Sequence, residues 1–307
     1  MTGAAGFIGA NLVRRLLGEG SDIIAVVRPT TNAWRLRDLE PRIATVRCDV
    51  KELPNRTDVA DIDVIYHLAA AAVDQRVHDV AQMLDTNVHG TCAVLQLADR
   101  LRVKRLVHAG SSGEYGPAVR VAESQAPHPN AEYGATKASA TLLVHAFSQR
   151  AGLSSVTLRP FSVFGPFESP YRLVPHCVLR ALQEQPINIT DGRQVRDYVY
   201  IDDVVRAFLA AATVPEASGG VFNICSGRET AVREMVLRIV ELTGCRVTPS
   251  FGARPHSPTE MWTSSGNPDL AARTLDWRAE TPLDEGLRLT IDWLKHGLKT
   301  YPDVYAE

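Results

Sequence analysis

Residues 2–9 read Thr2-Gly3-Ala4-Ala5-Gly6-Phe7-Ile8-Gly9, and the helically spaced apolar stretch Asn11–Leu17 follows at once. A G-x-x-G-x-x-G turn at the mouth of a helix has a physical meaning. Gly3 lets the chain turn sharply, Gly6 removes a Cβ so that backbone N–H groups approach a pyrophosphate, and Gly9 lets the helix lie close to a sheet. The positive end of that helix then faces the phosphates. The stretch predicts a dinucleotide held by Gly3, Gly6, Phe7, Ile8 and Gly9. Such a turn hangs from a buried parallel strand, yet only Met1 precedes it in this numbering. The reading therefore expects about four to eight further apolar residues upstream, the length a central strand needs.

Downstream, short apolar runs alternate with helical spacing. Asp22–Val27, Ile43–Cys48, Val64–Leu68, Arg105–Ala109 and Ser155–Leu158 read as strands, and the stretches 11–17, about 80–102 and from Tyr133 onward read as helices. This rhythm predicts an α/β fold: a Rossmann-like, doubly wound parallel sheet buried on both faces, with a smaller mixed α/β C-terminal domain. Prolines and glycines cluster after Arg159-Pro160. The expected division is a dinucleotide-binding domain over 1–165 and a substrate domain over 166–307, with part of about 195–225 returning to the first.

Composition narrows the class. The formal net charge of -2 over 307 residues shows no basic excess, which argues against nucleic acid as a partner. Five scattered cysteines without C-x-x-C, and no histidine at ligand spacing, predict reduced thiols, no metal and a cytoplasmic location. No apolar run approaches the ~20 residues that span a bilayer, so no membrane is expected.

The chemistry-bearing signal is Tyr133-Gly134-Ala135-Thr136-Lys137. Four residues apart on a helix, the phenol and the ammonium share a face. A phenol with an ordinary pKa near ~10 is a poor base at neutral pH, and a nearby cation favours its phenolate. The pair is common by chance; its position on the helix after the strand Arg105–Ala109, and Ser111 at that strand's end, sharpen it. Ser111 lies in Ala109-Gly110-Ser111-Ser112-Gly113-Glu114-Tyr115-Gly116, at the carboxyl edge where open α/β sheets bind ligands. It could bond a substrate oxygen, as could Ser112, or merely cap a turn.

Together these motifs resemble the extended short-chain dehydrogenase/reductases of the nucleotide-sugar epimerase/dehydratase family. Further matches are Asp49-Val50, His67-Leu68-Ala69-Ala70, Asn87 in Thr86-Asn87-Val88-His89-Gly90-Thr91, the stretch 159–166, Arg196 to Asp203 and Phe222-Asn223-Ile224. The resemblance implies that Asp49, Val50, Leu68, Ala69 and Ala70 line the cofactor. It also implies that Asn87 supports a proton relay behind Tyr133, that Lys137 holds the nicotinamide ribose, and that Arg196 and Arg254 meet the diphosphate of a nucleotide-sugar substrate. A homodimer through the helices at about 80–102 and 133–150 is a further implication. Each residue has a plainer alternative: Asp49 a turn cap, Asn87 an internal polar group, Arg196 a surface cation. His67 and His108, in apolar runs, read as core or lining residues.

Two departures shape the expected reaction. An acidic residue ending the second strand would suit NAD, but here stands Arg28, with Arg35 following. Guanidinium groups match a 2′-phosphate bidentately, so NADP is preferred over NAD. Where the resemblance implies that 4,6-dehydratases carry an acid just after the active-site hydroxyl, this chain has Ser112 and Gly113, and its nearest carboxylate is Glu114. The sequence-based expectation is thus a 4-keto-hexose reductase working through Ser111, Tyr133 and Lys137. A nucleotide-sugar 4-epimerase with tightly bound NAD is the alternative. A non-sugar ketone reductase fits poorly with Arg196 and Arg254, and a non-catalytic dinucleotide sensor fits poorly with the intact Ser111, Tyr133 and Lys137.

Overall fold

Parallel strands stand side by side in the order Ala44–Arg47, Ile24–Val27, Thr2, Val64–His67, Arg105–Ala109, Ser155–Pro160 and Val221–Ile224. This arrangement is seen in a computed structural model that describes residues 1–71 and 79–305. Thr2 alone occupies the central place, bridging Val26 on one side and His67 on the other. Its N–H donates to Tyr66 O at 3.0 Å and its carbonyl accepts from Leu68 N at 3.1 Å, while Val26 N donates to Met1 O at 2.8 Å. The strand order reverses here, so the crevice that opens at Gly3 is the topological switch point where such sheets bind ligands.

Alternate strand residues face opposite ways, and the two faces bury separate clusters. Val27, Tyr66, Val107, Val156 and Leu158 pack with the helices Phe7–Gly18 and Ile201–Thr213. Val26, Val46, Ile65 and Leu106 pack with Val94 and Leu97 of the helix Gly90–Leu101 and Val144 of the helix Glu132–Ala151. Each fully buried aliphatic side chain of this kind contributes roughly 1.5–3 kcal/mol.

The helix expected over about 80–102 is interrupted. Val80–Met83 is α-helical, Leu84–His89 is a π-helical turn, and Gly90–Leu101 resumes the α-helix. Hydrophobic spacing does not register the extra residue of a π-turn, a feature that often marks functional sites. The first helix begins at Phe7 rather than Asn11, so the glycine turn runs into it without an intervening residue.

A second sheet has the order Thr230–Ala231, Val195–Arg196, Thr263–Gly266 and Ala118–Val121. The last of these strands lies between Ser111 and Tyr133 in sequence, so the segment that joins them is tied to the C-terminal half. Near the C-terminus Tyr305 is buried among Trp34 and Trp293, and its hydroxyl donates to Glu168 O at 2.8 Å. Among the described residues no helix is long and apolar enough to cross a membrane, and no group of three His, Cys, Asp or Glu could hold a metal.

Candidate active site

The cofactor crevice is built by backbones that touch. Gly3 has φ +70, and a Cβ there would lie 2.5 Å from the Leu68 carbonyl carbon and 2.6 Å from Ala69 N. A Cβ on Gly9 would lie 2.2 Å from Gly3 O. The helix that follows has no side-chain cap at Gly6 and no acidic residue in its first turn. Its leading N–H groups are thus open to an anion, with half-buried Phe7 and Ile8 on its first turn. These features fit a dinucleotide pyrophosphate. Leu68, Ala69 and Ala70, all half-buried, form the facing wall.

The adenosine end departs from expectation. Half-buried Arg28 follows the strand Ile24–Val27, and its side chain makes no hydrogen bond or ion pair among the described residues. Arg35 is engaged elsewhere: its Nε donates to Phe167 O at 2.7 Å, an Nη donates to Ala5 O at 3.4 Å, and the guanidinium lies over the Trp34 ring. The expected pair of cations is therefore one cation. Asp49 caps a turn, accepting from Lys51 N at 2.9 Å in a capping box with Glu52. Val50 is buried against the helix of Gly90, where a glycine Cβ would lie 2.6 Å from its Cγ1.

The reaction centre is assembled by a second backbone contact. A Cβ on Gly134 would lie 2.2 Å from Gly113 O, so the helix Glu132–Ala151 seats directly on the loop of Ser111. That contact seats Tyr133 against the loop of Ser111, whose side chain acts on the phenol. Burial pushes the phenol up to about 12, Ser111 and Arg172 oppose the shift, and the carboxylate of Glu114 adds to it. Lys137, 2% exposed, is pushed down to about 8 by burial, against the pull of Glu114. The lysine is expected from the sequence to lower the tyrosine, but it is not among the groups that do so. Ser112 is half-buried beside Ser111 and makes no side-chain hydrogen bond among the described residues.

Asn87, fully buried in the π-turn, accepts from Ala71 N at 2.8 Å and donates to Thr136 Oγ1 at 2.9 Å. Its amide thus pins the cofactor-facing loop to the helix of Tyr133, with Thr136 in turn donating to Tyr133 O at 2.9 Å. Arg196 is half-buried and paired with Glu260 at 3.0 Å, whereas Arg254 is exposed with its side chain making no bond among the described residues. His67 bonds Thr2 and Thr91, and burial holds it down at about 3, a neutral core residue.

Residues 1–225 match the NAD dependent epimerase/dehydratase family. The chain belongs to it. Members of this family are NAD-dependent enzymes of nucleotide-sugar epimerisation and dehydration. In structure the chain is similar to the UDP-glucose 4-epimerase of Thermotoga maritima solved with UDP-glucose, at 30% identity and TM-score 0.89, covering 97% of this chain and 98% of that one. It is also similar to MoeE5 solved with UDP-glucuronic acid and NAD, at 32% identity and TM-score 0.87, covering 97% and 98%. A curated relative in Arabidopsis thaliana is a trifunctional UDP-glucose 4,6-dehydratase/UDP-4-keto-6-deoxy-D-glucose 3,5-epimerase/UDP-4-keto-L-rhamnose-reductase, 29% identical over 99% of this chain. The chain spans 48% of the length of that relative.

Sequence reasoning missed Arg172, whose charge reaches both Tyr133 and Arg196 and which lies 3.7 Å from Glu168. No motif flagged it within the Pro-rich stretch. It also missed the position of Glu260 against Arg196.

The buried lysine carries a stability cost. Its fall from 10.5 to about 8 corresponds to ~3 kcal/mol disfavouring the charged form. Below pH 8 that cost is present in full. Between about 8 and 10.5 the native state has released the proton while the unfolded chain still holds it, so the cost fades as pH rises. Lys137→Met is expected to raise the melting temperature at pH 7 and to lose most of that advantage at pH 9.5, while turnover collapses. Thermal denaturation at the two pH values checks this; equal or lower stability of the variant at pH 7 would contradict it.

Proposed function

We propose that this chain is a UDP-hexose 4-epimerase that keeps NAD bound. The observation that carries the reading is Glu114, the nearest carboxylate after Ser111. It is 0% exposed, and its two oxygens are engaged by Ser111 N, Thr141 and Arg159. It does not reach the crevice, so elimination of water across C5 and C6 lacks its acid here. Hydride transfer at C4 needs only the groups that are present. Support comes also from the similarity to a UDP-glucose 4-epimerase and to a protein that binds UDP-glucuronic acid and NAD.

When bound, NAD would supply the hydride acceptor and the later donor. Tyr133 Oη in its phenolate form takes the proton from the sugar 4-hydroxyl, and Ser111 Oγ donates to the same sugar oxygen. Once the ketone has turned over in the site, Tyr133 Oη would return its proton to the same sugar oxygen. Lys137 lies one helical turn on, and its ammonium would hold the nicotinamide ribose. Arg196 and Arg254 are the candidates for the diphosphate, with Glu260 displaced from Arg196 on binding.

The NADP-linked reductase rests on Arg28 alone, because Arg35 is engaged by Phe167 and Ala5. NAD is the better reading. Exposed Val80, Leu84 and Leu142 on the two long helical segments support the homodimer; sedimentation at monomer mass would oppose it.

Purified enzyme incubated with UDP-glucose and no added coenzyme should form UDP-galactose, and denaturing it should release NAD. Tyr133→Phe should slow turnover by ~10²–10⁴-fold while the bound NAD remains. Turnover only of a 4-keto sugar with stoichiometric NADPH consumption, or release of NADP, would overturn the proposal.

A further inference from the structure

Resting on the C4 chemistry proposed above, we propose that Glu114 is a positioning residue that holds Ser111 in place for the reaction.

Ser111 leaves the strand Arg105–Ala109 in an extended conformation, φ -160 and ψ 145, and caps the short 3-10 turn Ser112–Tyr115. The cap is reciprocal. Ser111 Oγ accepts from Gly113 N at 3.1 Å, and Ser111 N donates to Glu114 Oε1 at 2.8 Å. A serine that only capped a turn would need nothing beneath it, but Glu114 is anchored on its far side. Arg159 Nε donates to Oε2 at 2.8 Å, and a second guanidinium nitrogen lies 2.8 Å from the same oxygen. Both side chains are buried, at 5% and 0% exposure.

The anchorage continues across the sheet. Arg159 donates to Tyr115 Oη at 2.6 Å, and Tyr115 donates to Asn223 Oδ1 at 2.9 Å. Arg159 belongs to the strand Ser155–Pro160 and Asn223 to Val221–Ile224, so the two strands beyond that of Ser111 hold the carboxylate. Thr141 Oγ1, on the helix of Tyr133, donates to Glu114 Oε1 at 3.0 Å. One carboxylate therefore references Ser111 and the Tyr133 helix to the same rigid frame. The fit is close: a Cβ on Gly110 would lie 2.6 Å from Glu114 Oε1.

A buried ion pair that serves only stability can be exchanged for apolar side chains of similar volume with little loss. A positioning carboxylate cannot, because its acceptor for Ser111 N goes with it. This difference sets the test, with UDP-glucose as the probe. Glu114→Gln keeps shape but has one acceptor oxygen for two donor clusters. Glu114→Leu combined with Arg159→Met leaves no buried charge unpaired, so it reads out even where the single variant melts. In both, kcat should fall on the order of 10- to 100-fold, as expected for a misplaced reacting group, with KM for UDP-glucose within about threefold of wild type. Either variant, folded and running at wild-type kcat, would overturn the role. So would a loss that follows KM or melting temperature instead of kcat. Wild-type enzyme inert toward UDP-glucose, whichever variant is examined, would instead overturn the proposed function and this role with it.

Discussion

In both halves of the candidate site backbone meets backbone with no side chain between, and the site's shape depends on those contacts. Gly3 lies against Leu68 and Ala69, with Gly9 against Gly3, and this shapes the cradle for a pyrophosphate. Gly134 lies against Gly113, and this sets the spacing between Ser111 and the helix that carries Tyr133. A methyl group at either place would push the elements apart, because the nearest neighbours are backbone atoms rather than movable side-chain ends. Glycine is needed here for close approach and, at Gly3, for a positive φ as well.

Above those contacts the protein maintains a polar layer that its core does not favour. Lys137 is charged against burial, Tyr133 is held protonated, and His108 is buried with neither ring nitrogen bonded among the described residues. Asn87, Thr136, Thr141, Glu114 and Arg159 satisfy one another and fix the groups around them. Such a layer costs stability and concentrates perturbed ionisation where chemistry is done. The pattern is one of positions rather than of a single reactive group: phenol, ammonium and hydroxyl are ordinary side chains made useful by what surrounds them.

Much of this was legible in the sequence, for definable reasons. The strand Arg105–Ala109 coincides with its sequence-based span, since it is a plain apolar pattern stopped by a glycine. The π-turn at Leu84–His89 was not legible, because one added residue leaves the hydrophobic spacing nearly unchanged. Arg35 was misread because a cation's partner lies far away in the chain, here Phe167, and spacing carries no such information. Glu114 was seen as a missing acid; only the structure shows it facing inward to Arg159. Lys137 is expected from spacing to govern the tyrosine, but desolvation dominates, and a residue pattern does not report desolvation.

The central claim is that hydride leaves C4 of a UDP-hexose and returns to the same carbon within one closed site. Deuterium placed at C4 of UDP-glucose tests it most directly. The account predicts UDP-galactose that retains the label at C4, with none in solvent and no consumption of added coenzyme. Label appearing in water, or accumulating in a free nicotinamide coenzyme pool, would contradict it.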